Sequence, residues 1–202
     1  MKYSDKRVLI VEDQRPFLLM LKGLLQSMGA TNIVTKSSAE HAISEAKRTK
    51  FDIVVCDLHL GADYKNGYEL VEELRVKRLI KTTSVFILIS ADSTRSMVLG
   101  SIDRRPDDFL VKPFSQVQLK SRISRAWQKR LFLQPAYELI EKKQFTDAIT
   151  VLNKLYKEPS HYKGHCEQLL VETYCRKNDC KRALAILAPY TSGKPVLWAQ
   201  IA

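Results

Sequence analysis

Four short apolar runs limit the fold of this chain more than any other feature. They read VLIVED at 8–13, VVCD at 54–57, ILIS at 87–90 and FLVKP at 109–113. Each run is rich in Val, Ile and Leu, does not alternate with polar residues, and ends at a polar side chain. Amphipathic segments of helical length separate the runs. Strands of this kind are buried on both faces, so the pattern predicts an α/β fold with a parallel sheet.

The polar residues at the ends of these runs are expected to share one edge of the sheet. Crossovers in a parallel sheet are right-handed, so every carboxyl end opens on the same side, where open α/β sheets bind their ligands. Three acids, a hydroxyl and a lysine are thereby brought together: Glu12, Asp13, Asp57, Ser90 and Lys112. Carboxylates this close repel each other unless a cation neutralises them, and Mg²⁺, which prefers oxygen ligands, is the natural candidate.

This set of residues, in this chain order, closely resembles the receiver domain of two-component response regulators over roughly residues 5–128. The resemblance implies a five-stranded, flavodoxin-like (βα)5 fold in which Asp57 accepts a phosphoryl group from a histidine kinase or a histidine phosphotransfer protein. It also implies that Asp13, Asp57 and the backbone carbonyl of His59 hold Mg²⁺ directly, while Glu12 acts through water. A metal at this place lowers the repulsion between Asp57 and the incoming phosphoryl group.

The resemblance gives roles to three further residues. Lys112 would direct a point charge at the phosphoryl oxygens. Ser90 would donate a hydrogen bond to the attached group, and Phe109 would rotate inward as Ser90 moves. The Lys112–Pro113 bond is expected to be cis, as is typical of the family.

The loop LHLGADYKNG after Asp57 departs from the family pattern, because it is slightly longer than usual and has Gly61 where proline is frequent. His59 and Asp92 occupy positions that influence the lifetime of the acyl phosphate in receivers. Single residues also have simpler interpretations. Asp13 could cap the first helix, Asp57 could be a loop residue and Lys112 a solvated charge. Their joint occurrence, in order and at matching intervals, favours the receiver.

The coarse map alternates strands and helices. Strands are predicted at 7–11, 31–35, 51–56, 84–89 and 108–111, and helices at 15–28, 38–49, 67–78, 93–103 and 114–131. Gly29 is expected to end the first helix and Ser38 to cap the second. The fifth helix is expected to continue through SRISRAWQKRLFLQ up to Pro135, without a Gly/Ser linker, which restricts the relative motion of the two parts of the chain. The predicted domains are 1–128 and 129–202.

Beyond Pro135 the sequence predicts an all-α helical-repeat extension. KQFTDAITVL from Lys143 aligns with NDCKRALAIL from Asn178 at an offset of 35 residues. The segment resembles tetratricopeptide repeats, with Ala148 and Ala183 at the small packing position and Pro195 at the terminal proline. Ala136 and Val171 stand where that family favours glycine, and a generic helical extension is the alternative. The fragment VLWAQIA looks like the start of a third unit, so we expect the native protein to continue past Ala202.

Charge and cysteines bear on partners and location. The net charge of +11 is spread, since residues 1–125 hold 21 Lys and Arg against 15 Asp and Glu, and residues 126–202 hold 12 against 7. The densest basic runs, 75–81 and 104–105, look like exposed helix ends, so we expect no nucleic-acid partner. No apolar run is long enough to span a membrane, no signal peptide is present, and the four cysteines follow no secreted spacing. A reducing bacterial cytoplasm fits these features best. His161, His165, Cys175 and Cys180 are interpreted as buried helical residues rather than as a zinc site.

The leading hypothesis is a non-enzymatic phosphoacceptor that signals through protein contacts, with an unknown protein bound by the repeats and a homodimer as one alternative state. A constitutive scaffold with a non-switching receiver is the second hypothesis, and a DNA-binding regulator is the third. A phosphatase-like enzyme with an acyl-phosphate intermediate is disfavoured, because the next carboxylate after Asp57, Asp63, lies six residues on in a loop.

Overall fold

The computed structural model describes residues 1–61, 65–91 and 105–191. The strands are β1 Arg7–Val11, β2 Asn32–Lys36, β3 Ile53–Asp57, β4 Val85–Ser90 and β5 Asp108–Val111. The described helices are α1 Arg15–Ser27, α2 Ala39–Arg48, α3 Gly67–Val76, α4 Gln116–Glu141, α5 Phe145–Lys157, α6 Lys163–Arg176 and α7 Cys180–Thr191. None of these helices has the length and apolar character needed to cross a membrane. The helix predicted at 93–103, Asp63, Asp92, Pro195 and segment 196–202 lie outside the described residues.

The strands form one parallel sheet in the order β2-β1-β3-β4-β5. This is the flavodoxin-like order, and helices α5 to α7 follow the sheet. The predicted fold class, a five-stranded α/β domain with an all-α extension, is therefore confirmed. Each strand begins and ends within two residues of its predicted bounds.

Both faces of the sheet are covered, which explains why the strand sequences do not alternate. In β1, Val8 and Ile10 pack into an apolar cluster that includes residues of α1 and α4. Leu9 and Val11 pack into a second cluster with residues of α2 and α3. Because successive side chains of a strand point to opposite faces, every residue of such a strand has to be apolar.

The helix ends follow local signals that the sequence contains. Ser38 caps α2, since its side chain accepts a hydrogen bond from the backbone N–H of His41. Gly29 follows α1 with a φ of +96°, in the left-handed region that glycine tolerates. Both predictions are confirmed. The residue that caps α1 is Gln14, so the simpler interpretation of Asp13 as a helix cap is not supported.

Helix α4 runs without interruption through Pro135, so the prediction that it stops at this proline is wrong. An interior proline costs a helix about 3 kcal/mol. Leu133 and Ala136 flank the proline and are fully buried, and Ile140 is buried one turn later. Burying a leucine-sized side chain stabilises a fold by about 2 kcal/mol, so the apolar face of the helix offsets the cost of the proline.

The chain divides into two compact units, with Arg130 the last described residue of the first and Leu131 the first of the second. The second unit contains two helical hairpins whose ends correspond at the predicted offset of 35 residues. α4 ends at Glu141 and α6 at Arg176, while α5 begins at Phe145 and α7 at Cys180. The turns also correspond, because Lys143 has a φ of 60° and Asn178 a φ of 61°.

Burial in the two hairpins matches at most of the aligned positions. Ala148 and Ala183 are both buried, and so are the pair formed by Ala136 and Val171 and the pair formed by Leu152 and Leu187. The pair Ile149 and Leu184 differs, since the side chain of Ile149 is 8% exposed and that of Leu184 is 64% exposed. Helix α6 follows and packs on α5, whereas α7 is the last helix that the structure describes.

The four cysteines are free thiols in two different surroundings. Cys56 and Cys166 are buried, whereas Cys175 and Cys180 are exposed. The expectation of buried helical cysteines is therefore wrong for the last two. Cys175 lies in the last turn of α6 and Cys180 is the first residue of α7, so both flank the solvent-exposed turn that joins these helices.

Asp107, which precedes β5, is the centre of a buried cluster of ion pairs. Its carboxylate accepts hydrogen bonds from Arg75 Nη2 at 2.7 Å, Arg130 Nε at 2.5 Å and the backbone N–H of Phe86 at 2.8 Å. Burial raises the pKa of Asp107, but the charges of Arg130, Arg75 and Lys129 outweigh it, and the pKa lies below its ordinary value.

Arg75 belongs to the basic run that we interpreted as an exposed helix end, and for this residue the interpretation is wrong. Its side chain is 8% exposed and its partner acid lies 32 residues further along the chain. The spacing of charges along a helix does not reveal a partner at that separation.

The substitution Asp107→Asn is expected to lower the free energy of unfolding by about 3 kcal/mol, because it leaves buried guanidinium groups without their counter-charge. Urea denaturation at neutral pH measures this loss. The matched control is Asp108→Asn, since Asp108 pairs with the exposed Arg122 and Arg125 and its loss should cost less than about 1 kcal/mol. Equal losses in the two variants would contradict the assignment of the buried cluster.

The same cluster predicts a pH dependence of stability. The pKa of Asp107 is lower in the folded than in the unfolded chain, so its contribution is complete above the ordinary aspartate pKa and is lost as pH falls through the folded-state value. Urea denaturation of wild type and Asp107→Asn across the acid range should show their difference shrinking as pH falls. A difference that grows toward acid pH would give the opposite sign.

Gly67, the first residue of α3, lies too close to the sheet to carry a side chain. A Cβ at this position would lie 2.4 Å from Leu88 Cδ1, 2.7 Å from the backbone oxygen of Asp57 and 3.3 Å from Cys56 Sγ. The glycine therefore lets α3 begin directly against the end of β3, where the acidic side chains are placed.

The substitution Gly67→Ala is expected to reduce the free energy of unfolding by about 1–3 kcal/mol, because backbone and core atoms have to move away from the added methyl group. Gly23→Ala is the matched control. Gly23 lies inside α1, and a Cβ added there would have no atom within 4 Å, so alanine should stabilise the helix by about 0.5–1 kcal/mol. Urea denaturation of both variants checks the sign of each effect.

Candidate functional site

Three predicted site residues form one network at the carboxyl edge of the sheet. Asp57 is the last residue of β3, Glu12 follows β1 and Lys112 follows β5. Lys112 Nζ lies 2.5 Å from Asp57 Oδ2 and 3.2 Å from Glu12 Oε2. The lysine side chain is 16% exposed, so it is not the solvated charge of the simpler interpretation. It reaches past β4 to join carboxylates that come from two other strands.

The two carboxylates of this network are buried. Glu12 is fully buried, and it also accepts a hydrogen bond from the backbone N–H of Gln14 at 3.2 Å. Burial, followed by the negative charge of Asp57, raises the pKa of Glu12 to about 7, although Lys112 acts in the opposite direction. One lysine therefore does not neutralise the site fully, and a further cation would be favoured there.

Asp13 adds a third carboxylate from the solvent side. One oxygen from each of Glu12, Asp13 and Asp57 can be chosen so that all three lie within 4.8 Å of one another. Glu12 and Asp57 are buried and Asp13 is exposed, so the group has a protein side and an open side. This is the arrangement that the strand-end pattern predicted for the three acids.

The other predicted residues lie on the same edge. His59 donates its backbone N–H to Asp57 Oδ1 at 3.3 Å. Ser90 ends β4, is fully buried, and its carbonyl accepts the backbone N–H of Lys112 at 2.8 Å. Phe109 is half-buried on β5 and packs against the core cluster on the α2 and α3 side. The predicted cis bond between Lys112 and Pro113 is confirmed.

This fold and this edge can be compared with known proteins. Residues 8–124, more than half of the chain, match the response regulator receiver domain. The chain belongs to this family. The resemblance that rested on the order of the acids, the serine and the lysine is thereby confirmed for the receiver part.

Curated relatives of the receiver are response regulators. The chain is 26% identical over 168 residues to the alkaline phosphatase synthesis transcriptional regulatory protein PhoP of Bacillus subtilis, which covers 83% of this chain and 67% of PhoP. It is 33% identical over 129 residues to the transcriptional regulatory protein YvrH of the same organism, covering 64% of this chain and 52% of YvrH. The chain thus spans about half of YvrH.

A solved receiver structure resembles the first part of the chain. The response regulator protein TrrA from Thermotoga maritima, crystallised in complex with Mg²⁺-BeF, is 29% identical, with a TM-score of 0.52. The match covers 60% of this chain and 98% of the TrrA chain. The matched family residues 8–124 end within α4, so the family assignment concerns the receiver and not helices α5 to α7.

The donor set of the receiver fits Mg²⁺. Hard divalent cations bind carboxylate and carbonyl oxygens, and Mg²⁺ usually keeps several waters, which the exposed side at Asp13 can supply. Among the described residues, Glu12, Asp13 and Asp57 are the only three acidic, histidine or cysteine side chains grouped closely enough to hold a metal ion. The set considered for zinc, His161, His165, Cys175 and Cys180, is not grouped in this way.

Two aromatic residues of the receiver site were missed in the sequence. Lys112 Nζ lies 3.7 Å from the ring centroid of Phe17, and the rings of Phe17 and Phe114 meet edge to face at 6.0 Å. Phe17 is in the first turn of α1 and Phe114 is two residues after Lys112. Their places close to Asp13 and to Lys112 along the chain are the signal that could have indicated them.

Asp13→Asn is expected to weaken Mg²⁺ binding by about tenfold or more, because it removes the charge of the exposed carboxylate of the acidic group. Isothermal titration calorimetry with Mg²⁺ alone measures this effect. Asp5→Asn is the matched control, since Asp5 is an exposed acid that accepts a hydrogen bond from Ser4 and is no member of the group. Equal affinities in wild type and Asp13→Asn would remove Asp13 from the metal site.

Proposed function

We propose that this chain is a phosphoacceptor response regulator of a two-component phosphorelay, phosphorylated on Asp57 with Mg²⁺ bound. The observation that supports this most directly is the contact of Lys112 with Asp57, beside the acidic pair Glu12 and Asp13. A nucleophilic carboxylate, a positive charge for the incoming phosphoryl oxygens and a group of metal ligands thus share one edge of the sheet.

Each residue contributes a distinct part of the proposed reaction. Asp57 attacks the phosphorus atom of a phosphohistidine with one carboxylate oxygen, and the histidine nitrogen leaves. When bound, Mg²⁺ reduces the repulsion between the carboxylate and the phosphoryl group. Asp13, Asp57 and the His59 carbonyl are the proposed direct ligands, and Glu12 acts through water. Lys112 moves from pairing with the carboxylates to contacting the phosphoryl oxygens.

Ser90 and Phe109 are the proposed switch residues. Ser90 lies on β4, beside the strand that carries Asp57, and Phe109 pairs with Leu88 across β4 and β5. The Ser90 hydroxyl donates a hydrogen bond to the new phosphoryl group, and Phe109 moves further into the core as Ser90 shifts. The change at the phosphorylated edge is then read by a protein partner on the β5 side of the receiver.

We propose the domains 1–128, the receiver, and 129–202, an array of tetratricopeptide-like repeats that continues past Ala202. The support for repeats is the 35-residue correspondence of helix ends and turns, together with the shared burial of Ala148 and Ala183. Repeats of this kind stack into surfaces that bind other proteins. A protein ligand is therefore proposed for this part, and the output is binding rather than catalysis.

The proposed partners follow from this assignment. A histidine kinase or a histidine phosphotransfer protein supplies the phosphoryl group in a bacterial cytoplasm, and a second, unidentified protein binds the repeats. A homodimer is one proposed state of the phosphorylated chain. Nucleic acid and membrane are not among the proposed partners.

Incubation with acetyl phosphate and Mg²⁺, followed by intact-mass measurement, tests the proposal. We expect one added phosphoryl group on the wild type and none on Asp57→Asn or in the presence of a chelator. Asp52→Asn is the matched control, because Asp52 is also a buried acid beside a lysine, Lys81, but lies before β3 at the opposite edge of the sheet. It should be phosphorylated as the wild type is.

If the wild type gains no phosphoryl group and forms no beryllofluoride complex, the phosphoacceptor proposal is wrong and the constitutive scaffold takes its place. Phosphorylation that persists in Asp57→Asn would place the acceptor elsewhere.

The names of the relatives favour one second candidate, a DNA-binding regulator, since PhoP and YvrH are named transcriptional regulatory proteins. DNA binding through phosphate contacts would weaken steeply as salt rises. Fluorescence anisotropy with duplex DNA at two salt concentrations, with and without beryllofluoride, separates the candidates. Salt-sensitive binding that increases with beryllofluoride would favour the DNA-binding regulator over the repeat-mediated output.

A further inference from the structure

Phe17 is an aromatic residue in direct contact with the one lysine of the phosphoacceptor site. Its ring centroid lies 3.7 Å from Lys112 Nζ, well inside the range of about 6 Å over which a cation and an aromatic face attract. Phe17 is the third residue of α1, which begins at Arg15, so the same chain segment carries Glu12, Asp13 and this ring.

The contacts of Lys112 occupy three directions. An ammonium group has three N–H donors and no acceptor. Two contacts are with carboxylates, Asp57 at 2.5 Å and Glu12 at 3.2 Å, and the third is with the face of Phe17. The ring takes the place of the water that would otherwise solvate the remaining side of the ammonium, and its negative face is attracted to the charge.

The ring itself is held by its surroundings. Phe17 and Phe114 are half-buried and pack against the apolar cluster on the α1 and α4 side of the sheet. Their planes meet at 82°, the edge-to-face arrangement that aromatic pairs prefer. Phe114 lies two residues beyond Lys112, so the pair of rings joins the start of α1 to the segment that carries the lysine.

We propose that Phe17 is a positioning residue for phosphoryl transfer, which fixes the Lys112 ammonium for contact with the phosphoryl oxygens on Asp57. A free lysine side chain loses much rotamer freedom when it is ordered. The aromatic face restricts the ammonium before the phosphoryl group arrives, so less freedom is lost at that step. The inference rests on the proposed function, because it assigns Phe17 a part in that reaction.

The test compares beryllofluoride binding, in the presence of saturating Mg²⁺, among the wild type, Phe17→Leu and Phe17→Tyr. Beryllofluoride stands for the phosphoryl group on Asp57. Leucine keeps an apolar side chain but has no aromatic face, so affinity should fall about fivefold to tenfold. Tyrosine restores the face, and its affinity should lie within about twofold of the wild type.

A second readout separates positioning from general damage to the acidic group. Mg²⁺ alone binds the carboxylates and makes no use of the lysine, so Phe17→Leu should not lose affinity for Mg²⁺ measured by titration calorimetry. A variant with a disturbed site would lose affinity for Mg²⁺ and beryllofluoride together, and would overturn the proposal.

The matched control is Trp127→Leu. Trp127 forms the other lysine contact of this kind in the described part of the receiver, with Lys6 Nζ 4.4 Å from its ring, and Lys6 precedes β1 at the opposite edge of the sheet. Its loss should leave beryllofluoride affinity unchanged. If the wild type binds beryllofluoride and Phe17→Leu binds it equally well, the positioning role is wrong while the phosphoacceptor function stands. If the wild type itself forms no complex, both proposals fail.

Discussion

The contact of Lys112 with two buried carboxylates is the interaction on which the site depends. Glu12 and Asp57 come from neighbouring strands and would repel each other at this burial, and the lysine arrives from β5 on the far side of β4. The network therefore forms only when β1, β3, β4 and β5 are all paired in parallel. Its geometry is a property of the whole sheet rather than of any one loop, and that explains why the reacting groups lie at strand ends.

Much of this could be predicted from the sequence because parallel sheets impose a simple rule. A strand covered on both faces has to be apolar throughout, so a polar residue can appear only where the strand ends. Asp57 and Ser90 each end a strand, and Glu12 and Lys112 each follow one directly. The pattern thus indicated both the order of the elements and the edge on which the polar side chains meet. The 35-residue offset likewise matched the bounds of the later helices, because a repeated sequence repeats its turns.

Contacts between distant segments were not predictable in this way. Arg75 looked like one of several surface cations, and its burial depends on Asp107, which local patterns do not connect to it. The continuation of α4 through Pro135 depends on the apolar face of Leu133 and Ala136 finding a core, which is a property of packing. Phe17 looked like a core residue of an amphipathic helix. Its contact with Lys112 follows from where α1 begins relative to β5.

The two buried acidic clusters of the receiver differ in their charge balance, and the difference separates structure from function. At the amino edge of the sheet, Asp107 is one acid facing Arg75, Arg130 and the nearby Lys129, so its charge is more than matched and its pKa is depressed. At the carboxyl edge, three acids face Lys112, the one cation that pairs with them among the described residues, and the pKa of Glu12 is raised. The first cluster is complete and has nothing further to bind. The second is deficient in positive charge on its open side, and a site of that kind becomes fully stable only with a cation added, which is the condition that phosphoryl transfer to Asp57 requires.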